Sequence, residues 1–534
     1  MNEPVSHPDL PPEVQAYIRE LEARNAQLSA RVRQLEEQFR LAQLKRYAPS
    51  SERRSERVFN EAEQMEPTPL IEAVELPDTG LPEAAPAHPQ KRGRKPLPAD
   101  LPRKRVEHDI PEEQKICACC QGALHRIGED VSEQLHIPPA TPWVWQHVRF
   151  KYGCRHCDRH GISAPVVRAA MPLQPLPGSV ADAATIATVM TGKYADGMPL
   201  YRMEAGFARA GIDLGRGTMG QWMIGAAERH LQRLYQAMHA VLLAQPLIHG
   251  DETTVQVLHE DGRSAQSQSY MWVYRSAESS AAPVVLFEYQ PGRGQQHPQA
   301  FLRGFAGTLM TDGYSAWRTL GGVLHLGCFA HARRYFDEAA KAQGKADGRA
   351  RQALDMIGRL YQVETLAKGT LPAGRSRTEY TFALRQQHSL PVLDTLKTWL
   401  DEHAEKVLPK SLLGEAINYA RNQWTYLRRY ADDGDAPIDN NLIERDIRPF
   451  TTGRKNWLFS ATVAGAQASA VIYSLMLSCR ACGVEPYAYL CHVLTELPGR
   501  VGADPILTHR GCGPFLGLVY IVNPKLSRYS IGLR

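Results

Sequence analysis

Apolar positions near the start of the chain recur in alternating steps of four and three. Val14, Ile18, Leu21, Asn25, Leu28, Val32, Leu35 and Phe39 form one narrow stripe on a helix expected over 12–46. Such a stripe is the a/d seam of a coiled coil, and a single Asn at an a position sets register and favours two strands. The stripe also fits an amphipathic helix packed on its own body. The highly charged flanks favour the coiled coil, and with it a homodimer. From 47 to 106 the pattern breaks, because Pro67, Pro69, Pro77, Pro82, Pro86 and Pro89 interrupt regular structure, and a linker is expected. Within 107–170 the segment Val131 to Tyr152 alternates as strands do. Residues 176–240 read as helical. Leu200 to Ala210 makes one amphipathic helix, Gly211 to Gly215 a turn, and Thr218 to His230 a second helix with Thr218 or Gly217 as N-cap. This is the helix-turn-helix outline, with Arg216, Thr218, Gln221 and Trp222 at the leading end of the recognition helix. Any helical hairpin shows the same outline.

From 245 to 335 the period changes. Leu247 to Val257 reads as a strand delivering Asp251 out of an apolar run. Gln266 to Arg275 and Pro283 to Tyr289 read as strands, and Gln295 to Gly304 as a short helix. A further strand ends at Asp312, and Gly322 to Gly327 is another. Three strands, a helix and then a strand is the order of a ribonuclease H-like α/β core, in which the first and fourth strands each carry a metal-binding aspartate. An all-helical insertion follows over 336–436, on the order of 100 residues and so of ordinary domain size. Residues 437–462 return to the core with a helix presenting Glu444. A helical segment over 463–498 and an atypical tail over 499–534 complete a multidomain α+β chain.

Composition adds limits. The chain has 534 residues, 43% of them hydrophobic, which predicts several domains with real cores. It has no run of eighteen apolar residues and no secretory signal at its start, so a cytoplasmic, nucleoid-associated protein without a membrane partner is expected. Ten cysteines in a reducing compartment suggest metal rather than disulfides. Cys117 and Cys120, with Cys154 and Cys157, make two Cys-x-x-Cys knuckles that supply four thiolates to one structural zinc, as in a zinc ribbon. Cys479 and Cys482 repeat the spacing on an apolar helix and read as core cysteines. Net charge is +5, but its distribution is uneven. An acidic linker turns basic at Lys91-Arg92-Gly93-Arg94-Lys95-Pro96. Arg92, Arg94 and Lys95 suit either insertion into an A·T minor groove or nonspecific phosphate contact.

Phosphodiester chemistry needs help at two oxygens, and two hard cations need several carboxylates. Asp251, Asp312 and Glu444 meet that need as both catalytic and metal-binding residues. Glu252 is adjacent to Asp251, but neighbours on a strand face opposite ways. Asp439 and Asp446 compete for the third place; Asn441, Glu444 and Arg448 share one helical face. Arg445, Arg448, Arg454 and Lys455, with Trp457, suit a DNA strand end through phosphate pairing and base stacking. The bland reading of these residues is a solvated charged surface. His331, after Cys328, is an auxiliary candidate for positioning phosphate or hydroxyl; a packed core pair fits as well.

The stretches HGDETTVQV, TDGYSAW, CFAHARRYFDEA and NNLIERDIRPFTTGRKNWLFS closely resemble the insertion-sequence 66 family of bacterial transposases. So do GRKPLPADLPR, the leucine-rich start, the paired knuckles and the helical region near 200. The resemblance spans roughly 15–497. It implies a DDE transposase whose triad is Asp251, Asp312 and Glu444, with two Mg²⁺ or Mn²⁺ ions per site. It further implies cleavage at the terminal inverted repeats of its element and attack of the freed 3′-hydroxyl on target DNA. Accessory proteins from the same element are implied as possible partners. The alternatives are a catalytically inactive DNA-binding protein derived from a transposase, and a general nuclease of the same fold.

Overall fold

The computed structural model describes residues 11–47, 103, 105, 142–152, 154, 155, 159, 160, 166–343 and 348–500. The chain divides into two units, 82–166 and the remainder. Among the described residues of the smaller unit, 142–150 has no regular structure and Lys151–Tyr152 is the one strand. This corrects the expectation of strands up to Tyr152, of which 131–141 lies outside the described residues. The rings of Trp143, Trp145 and Phe150 face solvent, so their alternation buries nothing among the described residues. Cys154 is exposed. Cys117, Cys120 and Cys157 lie outside the described residues, as do Arg92, Arg94, Lys95 and the tail from 501.

In the larger unit, strands β1 (Leu247–His259), β2 (Gln268–Ser276) and β3 (Val285–Gln290) form an antiparallel meander. Strands β4 (Thr308–Met310) and β5 (Leu324–Leu326) extend it in parallel on the other side of β1. The sheet order is β3-β2-β1-β4-β5, and β6 (Ser460–Thr462) pairs with the far end of β1. Side chains on a strand alternate faces. Ile248 and Leu309 therefore enter one hydrophobic core, while their neighbours Leu247 and Met310 enter another. Each fully buried Leu or Ile contributes on the order of 1.5–3 kcal/mol. A one-residue slip of β1 would swap both faces.

The first core includes helices α2 (Ala183–Tyr194), α3 (Leu200–Arg209), α4 (Arg216–Ala226) and α5 (Gln232–Leu243). A π turn at Ala227–Leu231 joins α4 to α5. Asp182 caps α2, its carboxylate accepting from Thr185 N at 2.8 Å. Helix α4 begins at Arg216 behind an extended Gly215, not at Thr218. Met219, Trp222, Met223 and Ala226 recur at helical spacing and are buried, with Trp222 only 6% exposed. Trp222 is thus a core residue; Arg216 and Gln221 are exposed. The hairpin expected as a separate DNA-binding region shares one hydrophobic core with the sheet.

The second core is the insertion. After α6 (Gln296–Phe301) and α7 (Ser315–Arg318) come α8 (Phe329–Gln343), α9 (Arg349–Lys368), α10 (Arg377–Leu384), α11 (Leu390–Ala404), α12 (Leu412–Asn422) and α13 (Trp424–Arg428). Leu354, Ile357, Leu360 and Val363 are all buried on α9, as their spacing predicts. The chain returns through α14 (Asn441–Trp457), α15 (Val463–Ala481) and α16 (Pro486–Glu496). Helix α15 covers the outer edge of β3. Val285 N donates to Ser478 Oγ at 2.9 Å and Phe287 N to Ser474 Oγ at 2.8 Å, so the edge strand offers these donors to no other chain. Cys479 lies in the first core, and Cys482 donates to the Pro283 carbonyl.

The first helix, α1, runs from Pro12 to Tyr47. Its C-terminal half docks on the insertion: Arg40 Nη1 donates to Ala342 O at 3.0 Å and Leu412 N to Glu37 Oε2 at 3.4 Å. Leu21, Leu28, Val32, Leu35 and Phe39 remain exposed. Docking therefore uses another face and leaves the stripe open.

Candidate metal centre

Asp251 lies within β1, opposite Val273 of β2. Its position needs a small neighbour, because a Cβ at Gly250 would stand 2.8 Å from the Trp317 ring. Asp251 Oδ1 accepts from Glu252 N at 2.8 Å. Asp312 follows β4 by two residues, and its Oδ1 accepts from Tyr314 N at 2.9 Å. Glu444 sits in the first turn of α14 and is buried. Loss of water pushes the Asp251 carboxyl well above its ordinary range, and the charges of Glu252, Asp312 and Glu444 add to the shift. The three expected acids are thus electrostatic neighbours.

Glu444 has one partner in reach and one open atom. Arg334 Nη2 donates to its Oε2 at 3.4 Å. His331 Nδ1 lies 3.8 Å from its Oε1, too far for a hydrogen bond, and both atoms are buried without a hydrogen-bond partner among the described residues. Burial holds the His331 pKa below its ordinary value, although Glu444 opposes this.

Glu252 adds its charge to the set, but both its oxygens are already engaged. Arg293 Nε donates to its Oε1 at 2.7 Å and Trp317 Nε1 to its Oε2 at 3.0 Å. The competing acids are also engaged elsewhere. Asp439 Oδ2 accepts from Tyr361 Oη at 2.8 Å and its Oδ1 from Asn441 N at 3.0 Å. Asp446 pairs with Arg275.

One residue ties these elements together. Asn440 is fully buried; its Nδ2 donates to Gly250 O at 2.9 Å, and His249 Nδ1 donates to its Oδ1 at 2.8 Å. Its backbone N–H donates to Cys328 Sγ at 3.2 Å. Burial pulls His249 down to about 4, so the ring is neutral at pH 7 and Nδ1 carries the proton. Asn440 thereby joins β1, the start of α8 and the start of α14. Arg318 likewise donates to the Asp312 carbonyl and to Gln423 Oε1, both at 3.0 Å. Neither residue carries a sequence signal of its own.

The proposed strand-end residues divide. Arg445 and Lys455 are exposed, while Arg448 is half-buried one turn after Glu444. Arg454 faces inward, donating to Thr254 Oγ1 at 2.8 Å and Thr253 Oγ1 at 3.2 Å. Trp457 packs against the first core, with Lys193 Nζ 4.1 Å from its ring centroid, so its ring is already occupied.

The donor chemistry suits a hard divalent cation: crowded carboxylates, one with an unpartnered buried oxygen, are relieved by a cation between them. As the side chains lie, no group of three His, Cys, Asp or Glu among the described residues is close enough to hold one ion.

A family model described as "Transposase IS66 family" matches residues 178–468, spanning both cores and all three acids. The chain belongs to the IS66 transposase family. Three further IS66 models match: the zinc-finger binding domain at 114–158, the C-terminal element at 474–504, and "Transposase C of IS166 homeodomain" at 34–106. Relatives occur in Sinorhizobium fredii (strain NBRC 101917 / NGR234). The uncharacterized protein y4jD is 34% identical over 416 residues, 75% of this chain and 78% of that protein. The uncharacterized protein y4qI is 32% identical over 448 residues, 80% of each. The uncharacterized protein y4hP is 29% identical over 426 residues, 76% of this chain and 74% of that protein. The IS66 match at 178–468 covers both the helical hairpin and the insertion, in keeping with the hairpin's shared core. No helix among the described residues is long and apolar enough to cross a membrane.

Proposed function

We propose that this IS66 transposase cuts DNA at the terminal inverted repeats of its element and joins the freed 3′-hydroxyl to target DNA. Asp251, Asp312 and Glu444 hold two divalent cations, Mg²⁺ or Mn²⁺. One observation carries the reading: burial raises the Asp251 carboxyl of β1, and the charges of adjacent Glu252, of Asp312 just past β4 and of Glu444 on α14 raise it further. The sheet order β3-β2-β1-β4-β5, with one antiparallel side and one parallel side, supports a ribonuclease H-like core. When bound, such cations activate the attacking oxygen and stabilise the leaving one. His331 faces the open oxygen of Glu444 at 3.8 Å and, as an auxiliary residue, positions a phosphate or the reacting hydroxyl. Exposed Arg445 and Lys455 meet phosphates, joined by Arg448, Arg216, Gln221 and the basic arm at Arg92, Arg94 and Lys95.

Cys117, Cys120, Cys154 and Cys157 hold a structural zinc, a reading supported by the zinc-finger match across them. The exposed stripe of α1 pairs two copies of the chain, and accessory proteins of the element join the complex. These events belong to the cytoplasm, at the nucleoid. Replacing Leu21 and Leu28 with Asp is expected to give monomers by light scattering; a surviving dimer places association elsewhere.

The decisive assay uses duplexes of the DNA flanking the gene. Wild type is expected to cut and join them only with Mg²⁺ or Mn²⁺, and Asp251→Asn to bind but not cut. Binding by wild type without any cutting would instead identify an inactive DNA-binding protein, and cutting indifferent to end sequence a general nuclease.

A further inference from the structure

Arg293 has no role in the reading so far. It lies on the loop between β3 and α6, at the rim of the acid site. Its Nε donates to Glu252 Oε1 at 2.7 Å and its Nη2 donates to the same oxygen. Trp317 takes the other oxygen at 3.0 Å. The Glu252 side chain is 2% exposed, whereas that of Arg293 is 41% exposed. Both oxygens of Glu252 are therefore engaged in fixing neighbours, and Glu252 is poorly placed to be a fourth metal ligand.

The guanidinium also lies on an aromatic ring, with Cζ 3.7 Å from the Tyr314 centroid. Tyr314 Oη donates to the Arg293 carbonyl at 2.6 Å, and Tyr314 N donates to Asp312 Oδ1 at 2.9 Å. A chain of contacts thus runs from Glu252 through Arg293 and Tyr314 to Asp312. Among the described residues nothing accepts from Arg293 Nη1.

The surroundings are otherwise rich in acid, with Asp251, Glu252, Asp312 and Glu444 close together. A phosphodiester approaching them needs a local cation that is part of the protein. A guanidinium pre-set by stacking and by a buried carboxylate loses little freedom on binding phosphate, and its planar fork matches phosphate geometry. We propose that Arg293 is a phosphate-binding residue of this site. Its open Nη1 edge holds a phosphate of the DNA strand beside Asp312, with Glu252 and Tyr314 as positioning residues. This assignment rests on the transposase reading of the three acids.

The test reads binding of full-length protein without added Mg²⁺, so it does not depend on cutting. The probes are labelled duplexes of the DNA flanking the gene, each with one phosphate neutralised as methylphosphonate. For wild type, neutralising one or two adjacent phosphates is expected to weaken binding roughly tenfold, about one charge-assisted contact. Arg293→Gln is expected to lose a similar factor on the unmodified duplex and to become insensitive to those same neutralisations. Its slope of log affinity against log salt should fall by about 0.9, one phosphate contact. Should Arg293→Gln melt early, Arg293→Lys keeps the charge and is expected to retain part of the sensitivity. Identical phosphate patterns in wild type and a stably folded Arg293→Gln would overturn the proposal. So would tighter binding by Arg293→Gln, which would make Arg293 a plug over the acids. A wild type that binds with this pattern but never cuts would refute the transposase activity and leave the contact standing.

Discussion

The two aspartates and the glutamate are held by different means. Asp251 and Asp312 ride on or just past paired strands, where backbone ladders set their positions. Glu444 rides on a helix that meets the sheet through side chains: Asn440 to Gly250 and Arg454 to Thr253 and Thr254 on β1, and Asp446 to Arg275 on β2. A ladder spreads its order over many weak, equivalent bonds. A few buried polar contacts concentrate it, so the loss of one partner leaves the other unsatisfied. The site should therefore break first on the helix side.

Asn440→Ala tests this most severely. It orphans the Gly250 carbonyl and the His249 N–H, each worth about 1–3 kcal/mol when buried and unpaired. A loss of about 3 kcal/mol is expected by urea unfolding, together with a fall in strand joining of more than tenfold as Glu444 shifts. Retention of full activity would show that Asn440 does not position α14.

On the strand side, Glu288 of β3 offers a control away from the acids. Loss of hydration raises its carboxyl to about 7. A folded pKa above the unfolded one means its favourable contribution is complete below about pH 4.5 and is lost as pH rises through 7. Glu288→Gln is thus expected to stabilise the protein by up to about 2 kcal/mol at pH 8, after discounting for partial exposure, and to change little at pH 4.5. Joining activity should be unaffected at either pH. Equal stabilisation at both pH values would contradict the assignment.

Tyr361→Phe sharpens the contrast with the smallest effect. It removes one hydrogen bond to Asp439, which keeps its bonds to Asn441. A cost of about 1 kcal/mol is expected. Activity should fall less than in Asn440→Ala; a larger fall would move the controlling contact from Asn440 to Asp439.

Much of this architecture could be read along the chain. The strand carrying Asp251, the strand before Asp312 and the helix carrying Glu444 all lie where apolar period predicted them. The helix ends were shifted slightly, because capping at Gly215 depends on backbone conformation rather than on a hydroxyl. Aromatic residues were the poorest guide. Trp222 buries its ring in the first core, and half-buried Trp457 packs against that core under Lys193. Chemical type alone does not say which side of a helix faces a neighbour.

The sequence by itself determined the elements and the acids available, since helical and strand periods depend on residues a few positions apart. It also determined the family, through long local motifs. Only the tertiary structure decided that Asp439 and Asp446 would serve other partners, and that Glu252 would turn to Arg293. It alone joined Asn440 to Gly250 across 190 positions. Those outcomes are settled by which buried polar groups find one another when both faces of the sheet are covered, and that pairing is a property of the packed whole.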